Sequence, residues 1–118
     1  MIFKVIAIHK SEYPDPIHFK KGDQLFVGKK YIGIEAWDNW YFCKTTVGLE
    51  GWVPKQIIQW IEKDKVWIAT KNYTARELDV AIGDQVIGKY ILNGWIWCNH
   101  LLYKKSGWVP FNVLQIYQ

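Results

Sequence analysis

Apolar and polar positions alternate over short stretches of this chain. Near the N-terminus, Phe3, Val5 and Ala7 alternate with Lys4, Ile6 and Ile8, the two-residue period of a strand with one buried face. Leu25 and Val27 follow a Gly-Asp turn, and Trp40 to Lys44 is rich in the aromatics that favour strands. Gly, Pro, Asn and Asp interrupt these stretches at short intervals. No longer window carries the 3.6-residue period of a capped amphipathic helix. The pattern predicts an all-β chain of short strands.

The pattern also occurs twice. Gly51-Trp52-Val53-Pro54 recurs as Gly107-Trp108-Val109-Pro110, and Trp40-Tyr41-Phe42-Cys43 as Trp95-Ile96-Trp97-Cys98. Gly22-Asp23-Gln24 recurs as Gly83-Asp84-Gln85, and Gly28-Lys29 as Gly88-Lys89, in the same order. The offset is 61 residues at the Gly-Asp pair, 55 at the Trp-x-x-Cys block and 56 at the Gly-Trp-Val-Pro block. One duplicated unit accounts for this, with six extra residues between Gln24 and Trp40 in the first copy. The repeat sets the expected domains as 1–61 and 65–118, joined by a link at 62–64. The segment Tyr73 to Ile82 could pass locally for a helix, but its counterpart holds Pro14 and Pro16, which argues against a shared helix there. Units this small have marginal cores, and large buried aromatics are one remedy.

Composition then narrows the class. Half of the 118 residues are hydrophobic and 17% are aromatic, including eight Trp, so the chain has the material for packed cores and disorder is excluded. No apolar run approaches the roughly 20 residues of a membrane-spanning helix. The N-terminal stretch lacks the apolar core of about 7–15 residues that a secretory signal needs, so the cytoplasm is the expected location. The net charge of +4 is spread evenly, with 8 basic and 6 acidic residues in 1–61 against 7 and 5 in 62–118. Fourteen of the fifteen bases are Lys, and Arg76 is the one residue with the forked geometry that reads phosphate and base edges. Nucleic acid is therefore a weak candidate partner. The Lys and Ile usage fits an AT-rich bacterial genome. Cys43 and Cys98 fall at equivalent places in the two copies, which predicts two core-facing thiols rather than a disulfide.

The order of the blocks resembles that of the SH3 domain. The first copy offers Ala7, then His18-Phe19-Lys20-Lys21-Gly22-Asp23, then Trp40-Tyr41-Phe42-Cys43, then Gly51-Trp52-Val53-Pro54. The second offers Ala69 to Tyr73, then Leu78 to Asp84, then Trp95-Ile96-Trp97-Cys98, then Gly107-Trp108-Val109-Pro110-Phe111-Asn112. The resemblance implies two small five-stranded SH3-like barrels in tandem. It further implies a non-catalytic module that holds a protein or peptide, in the family's usual case a Pro-rich segment in the polyproline helix.

On this resemblance the ligand groove falls on Trp40, Pro54 and Tyr13 in the first copy, and on Trp95, Pro110, Tyr73 and Asn112 in the second. The tyrosines that line such a groove are replaced elsewhere: His9 and Lys71 stand at the first, Ser11 at the second, and Ile57 and Val113 at the last. The acidic loop that would hold a basic ligand residue is sparse, with Glu12 and Asp15 in one copy and Glu77 and Asp79 in the other. The groove thus departs from the usual PxxP-binding pattern. Strand alternation places Phe42 on the face of Trp40 and Trp97 on the face of Trp95, leaving Tyr41, Cys43, Ile96 and Cys98 inward. Two readings of these paired aromatics stand: a ligand platform, or an interface between units or chains, with Trp60 and Trp67 flanking the link.

Catalytic and metal chemistry leaves no trace in the sequence. Ser11 and Ser106 lie outside any nucleophile motif, and His9, His18 and His100 lack ligand spacing. The Asp of each Gly-Asp pair is expected to shape its own turn. No enzyme, cofactor or membrane partner is expected. Three other functions fit the composition: single-strand nucleic-acid binding by stacking and Lys contacts, cell-wall peptide binding, or a structural assembly subunit. The oligomeric state is open.

Overall fold

The computed structural model describes residues 1–12, 14–30 and 39–117. Among them every regular element is a strand or a short 3-10 turn. The strands are β1 (Ile2–Val5), β2 (His18–Phe19), β3 (Gln24–Lys30), β4 (Trp40–Thr45), β5 (Glu50–Pro54) and β6 (Ile58–Ile61). They continue as β7 (Val66–Ala69), β8 (Tyr73–Thr74), β9 (Gln85–Leu92), β10 (Trp95–His100), β11 (Ser106–Pro110) and β12 (Leu114–Ile116). A 3-10 turn follows each Gly-Trp-Val-Pro block, at Lys55–Ile57 and Phe111–Val113. The expected all-β, SH3-like architecture is therefore found, as two five-stranded antiparallel sheets of orders β11-β10-β9-β1-β12 and β5-β4-β3-β7-β6.

The strand orders show that the compact units are not the two sequence repeats. One unit is continuous, residues 15–75, and the other is split, residues 1–14 with 76–118. β1 pairs with β9 and β12 of the second repeat, joining Val5 to Leu114 and Phe3 to Ile116. β7 pairs with β3 and β6 of the first repeat, joining Ala69 to Ile58. The repeats have exchanged their first strands. The division at 1–61 and 65–118 describes the duplication, and the packed units cut across it.

The short link supplies the reason. Residues 62–65 form a turn between β6 and β7, closed by the Ile61–Val66 pair. Lys65 takes a left-handed φ of 55° and its ammonium pairs with the Glu62 carboxylate. A connection this short can only return the chain antiparallel beside β6. That slot, next to the last strand of a unit, is the place β1 fills next to β12. With β7 occupying it, β1 is left to complete the second repeat.

Each unit has its own core. Phe3, Val5, Leu78, Val80, Val86, Ile96, Cys98, Val109 and Leu114 fill the split unit. Ile17, Phe19, Leu25, Cys43, Val53, Ile57, Ile58 and Ala69 fill the continuous one. The two thiols are buried and free, each donating to a carbonyl two residues back, Tyr41 O at 3.6 Å and Ile96 O at 3.5 Å. The Gly-Asp turns repeat one geometry: Asp23 Oδ2 accepts from Lys20 N and Asp84 Oδ2 from Ala81 N, both at 2.9 Å. Tyr73 to Ile82 is extended, not helical.

Candidate binding site

The split unit presents a run of aromatic side chains across three neighbouring strands. Trp97 on β10 lies directly opposite Tyr90 on β9 and Trp108 on β11. The Tyr90 and Trp97 rings are parallel within 9°, and Trp97 meets Trp108 edge-on at 5.3 Å. The Asn93-Gly94 turn sets this register. Both residues have positive φ, 50° and 86°, the combination a tight two-residue hairpin requires, and β9 runs straight into β10. One side of the run is bounded by Arg76, whose Cζ lies 5.6 Å from the centre of the Trp97 ring. Its guanidinium donates to Ser106 O at 3.0 Å and to Ser106 Oγ at 3.1 Å, which fixes it over the ring.

Trp95 stands two residues before Trp97, on the same face, opposite Pro110. Both are half-buried, and Asn112 beyond them is exposed. The imidazole of His9 meets Trp95 edge-on, centroids 5.7 Å apart at 75°. His9 Nε2–H donates to Glu77 Oε1 at 2.7 Å, and these side chains are 17% and 11% exposed. Trp95 and Pro110 therefore lie side by side, and the imidazole that flanks Trp95 comes from the first repeat through β1 and the segment after it.

Tyr73, expected beside Trp95, belongs instead to the continuous unit. There its ring lies tilted against Phe19 at 5.5 Å, and its hydroxyl donates to Trp52 O at 3.2 Å. The strand register explains the reassignment. His9 bridges Val80 and Tyr73 pairs with Phe19, and Val80 and Phe19 each precede their Gly-Asp turn by the same distance. His9 is thus the counterpart of Tyr73, two residues away from the alignment that places Ser11 there. The backbone of Ser11 instead donates to Asp79 Oδ1 at 2.7 Å.

The continuous unit repeats part of this geometry. Trp40 lies opposite Pro54, and Phe42 opposite Trp52 with rings 5.3 Å apart, edge-on. Trp40 was expected to face outward but is buried at 6% exposure, and Pro54 opposite it is fully buried. Tyr13 and residues 31–38, where the first copy is longer, lie outside the described residues. Trp60 and Trp67 pair across the β6–β7 hairpin at 5.6 Å, and Trp60 is 40% exposed. They clasp the turn that directs the strand exchange.

The far end of the split unit is organised by His100, a buried residue that sequence reading left as a lone histidine. Its Nδ1 accepts from the amides of Leu102 and Tyr103, at 3.1 and 3.2 Å, which puts the proton on Nε2, 3.2 Å from Asp84 Oδ2. The Ala81 amide, with His100, holds the Asp84 carboxyl below the usual carboxylate range. His100 thereby pins the loop at 101–105 to the barrel. A cleft of about 620 Å³ opens between this loop and the Arg76–Asp79 arm, and Lys104 and Lys105 line it.

The variant SH3 domain family model matches residues 2–61, just over half of the chain, and the chain belongs to that family. No curated protein and no solved structure matches it significantly. Domains of this family are in general protein-interaction modules without catalysis. Among the described residues no cluster of His, Cys, Asp and Glu has the geometry of a metal site, and no helix is long and apolar enough to cross a membrane.

Proposed function

We propose that the split unit binds an extended peptide segment of a partner protein on the face formed by Trp95, Trp97, Tyr90 and Pro110. One observation carries the reading: four large side chains on one face of β9, β10 and β11 are pre-set by cross-strand pairing and by Arg76. Tyr90 keeps 55% of its surface open, so the face has apolar area to bury. Rigid aromatics lose little entropy when a ligand settles on them, which makes them effective contact residues. In the continuous unit Trp40 and Pro54 are buried, which leaves Phe42 and Trp52 as the half-buried pair on the corresponding strands among the described residues. The reading is non-catalytic and needs no cofactor.

The test is NMR titration of the full chain with an immobilised-peptide hit. The indole N–H signals of Trp95 and Trp97 shift, while that of Trp60 stays in place. The variants Trp95→Ala and Tyr90→Ala lose at least tenfold in affinity. Binding that survives both substitutions excludes this face.

A further inference from the structure

The carboxylates of the loop arm beside this face each accept an internal hydrogen bond. Glu77 accepts from His9 Nε2 at 2.7 Å, and its side chain is only 11% exposed. Asp79 accepts from the Ser11 amide at 2.7 Å. Both bonds hold the N-terminal arm against residues 77–79, so they are committed to the strand exchange. His9 and Ser11 each occupy one oxygen of these carboxylates, and Asp79 stays exposed at the cleft.

The basic groups are arranged the opposite way. Arg76 lies over Trp97, at the junction of the aromatic face and the cleft. Lys104 and Lys105 line the same cleft, are exposed, and pair with no carboxylate among the described residues. His100 keeps the loop that carries them in place through two backbone bonds. The Nε and Nη2 groups of Arg76 donate to Ser106, so an anion in the cleft is met by Lys104 and Lys105 with the Arg76 charge beside them.

We infer that the face selects an acidic extended peptide, in which apolar residues lie on Trp97 and Tyr90 and a Glu or Asp beside them reaches Arg76, Lys104 and Lys105. This inference rests on the proposed binding face and deepens it. It inverts the charge preference that an acidic loop would give, because three bases face the cleft against two carboxylates that each already accept a bond from the N-terminal arm.

Two synthetic heptapeptides with one Pro-Leu-Pro core test it, one flanked by two Glu on each side and the other by two Lys, titrated into the full chain at low salt. The Glu-flanked peptide binds at least fivefold tighter and shifts the Trp97 indole signal. Arg76→Glu reverses the preference. Lys104→Glu with Lys105→Glu, on an exposed loop, lowers it at least threefold without touching the fold. Tighter binding of the Lys-flanked peptide at Trp95 and Trp97 overturns the charge inference and leaves the binding face standing. A preference unchanged in both variants also overturns it. An oligothymidylate that binds tighter than the Glu-flanked peptide overturns it in favour of a nucleic-acid ligand. Failure of every probe to shift Trp95 or Trp97 overturns the binding face and this inference together.

Discussion

His9 and Glu77, 68 residues apart in sequence, share a hydrogen bond of 2.7 Å that joins the two halves of the duplication inside one barrel. The bond exists because β1 completes the second repeat, and it places the imidazole on Trp95. His9→Ala leaves the largely buried Glu77 carboxylate without this donor and costs about 1–3 kcal/mol. Denaturation followed by the Trp95 indole signal measures it, and the continuous unit, followed by Trp60, is unaffected. Equal loss in both units counts against the assignment.

Gly51 and Gly107 are the points where the returning chain passes over the barrel. A Cβ at Gly107 would lie 2.7 Å from Leu78 N and 2.8 Å from Glu77 C, backbone atoms that cannot move without breaking the Leu78–Trp108 bond. A Cβ at Gly51 would meet the side chain of Ile17 at 2.7 Å. Gly107→Ala therefore costs about 2–3 kcal/mol and Gly51→Ala about 1–2 kcal/mol, as overpacking generally does. Urea denaturation of the two variants checks the order.

Asp84 carries a pH dependence. Its carboxyl is held below the usual range first by the Ala81 amide and then by His100. A depressed carboxylate contributes stability that is complete above its unfolded value near about 3.9 and disappears as pH falls through the folded value. The wild-type chain is thus more stable than Asp84→Asn at pH 7, and the advantage shrinks below about pH 4. Thermal melts at both pH values measure it. An advantage that grows on acidification has the wrong sign.

The thiols of Cys43 and Cys98 are pushed up to about 12 by burial. Since the thiolate is the reactive form, neither labels with a thiol reagent at pH 8 until denaturant is added, when both react. Rapid labelling of the native chain contradicts their core placement.

The elements of this fold were legible because each has a local cause. Strand alternation, the Gly-Asp turns and the duplicated Gly-Trp-Val-Pro blocks pointed to the barrels and the inward cysteines. The exchange of first strands has no local cause, since Ile2–Val5 and Val66–Ala69 each suit either barrel. The choice is made by the length of the link at 62–65, which acts through topology. The misplaced Tyr73 and the unforeseen His9–Trp95 contact both follow from that one difference. The burial of Trp40 was missed because alternation on a strand specifies a face and says nothing of what covers it. His100 gave no signal because its partners are backbone amides.

The account stands on which first strand completes which barrel, and cross-strand nuclear Overhauser contacts in the full chain decide it. The exchange predicts contacts between Val5 and Leu114 and between Ala69 and Ile58. Contacts between Val5 and Ile58, together with Ala69 and Leu114, would show each repeat closing on itself and would contradict it.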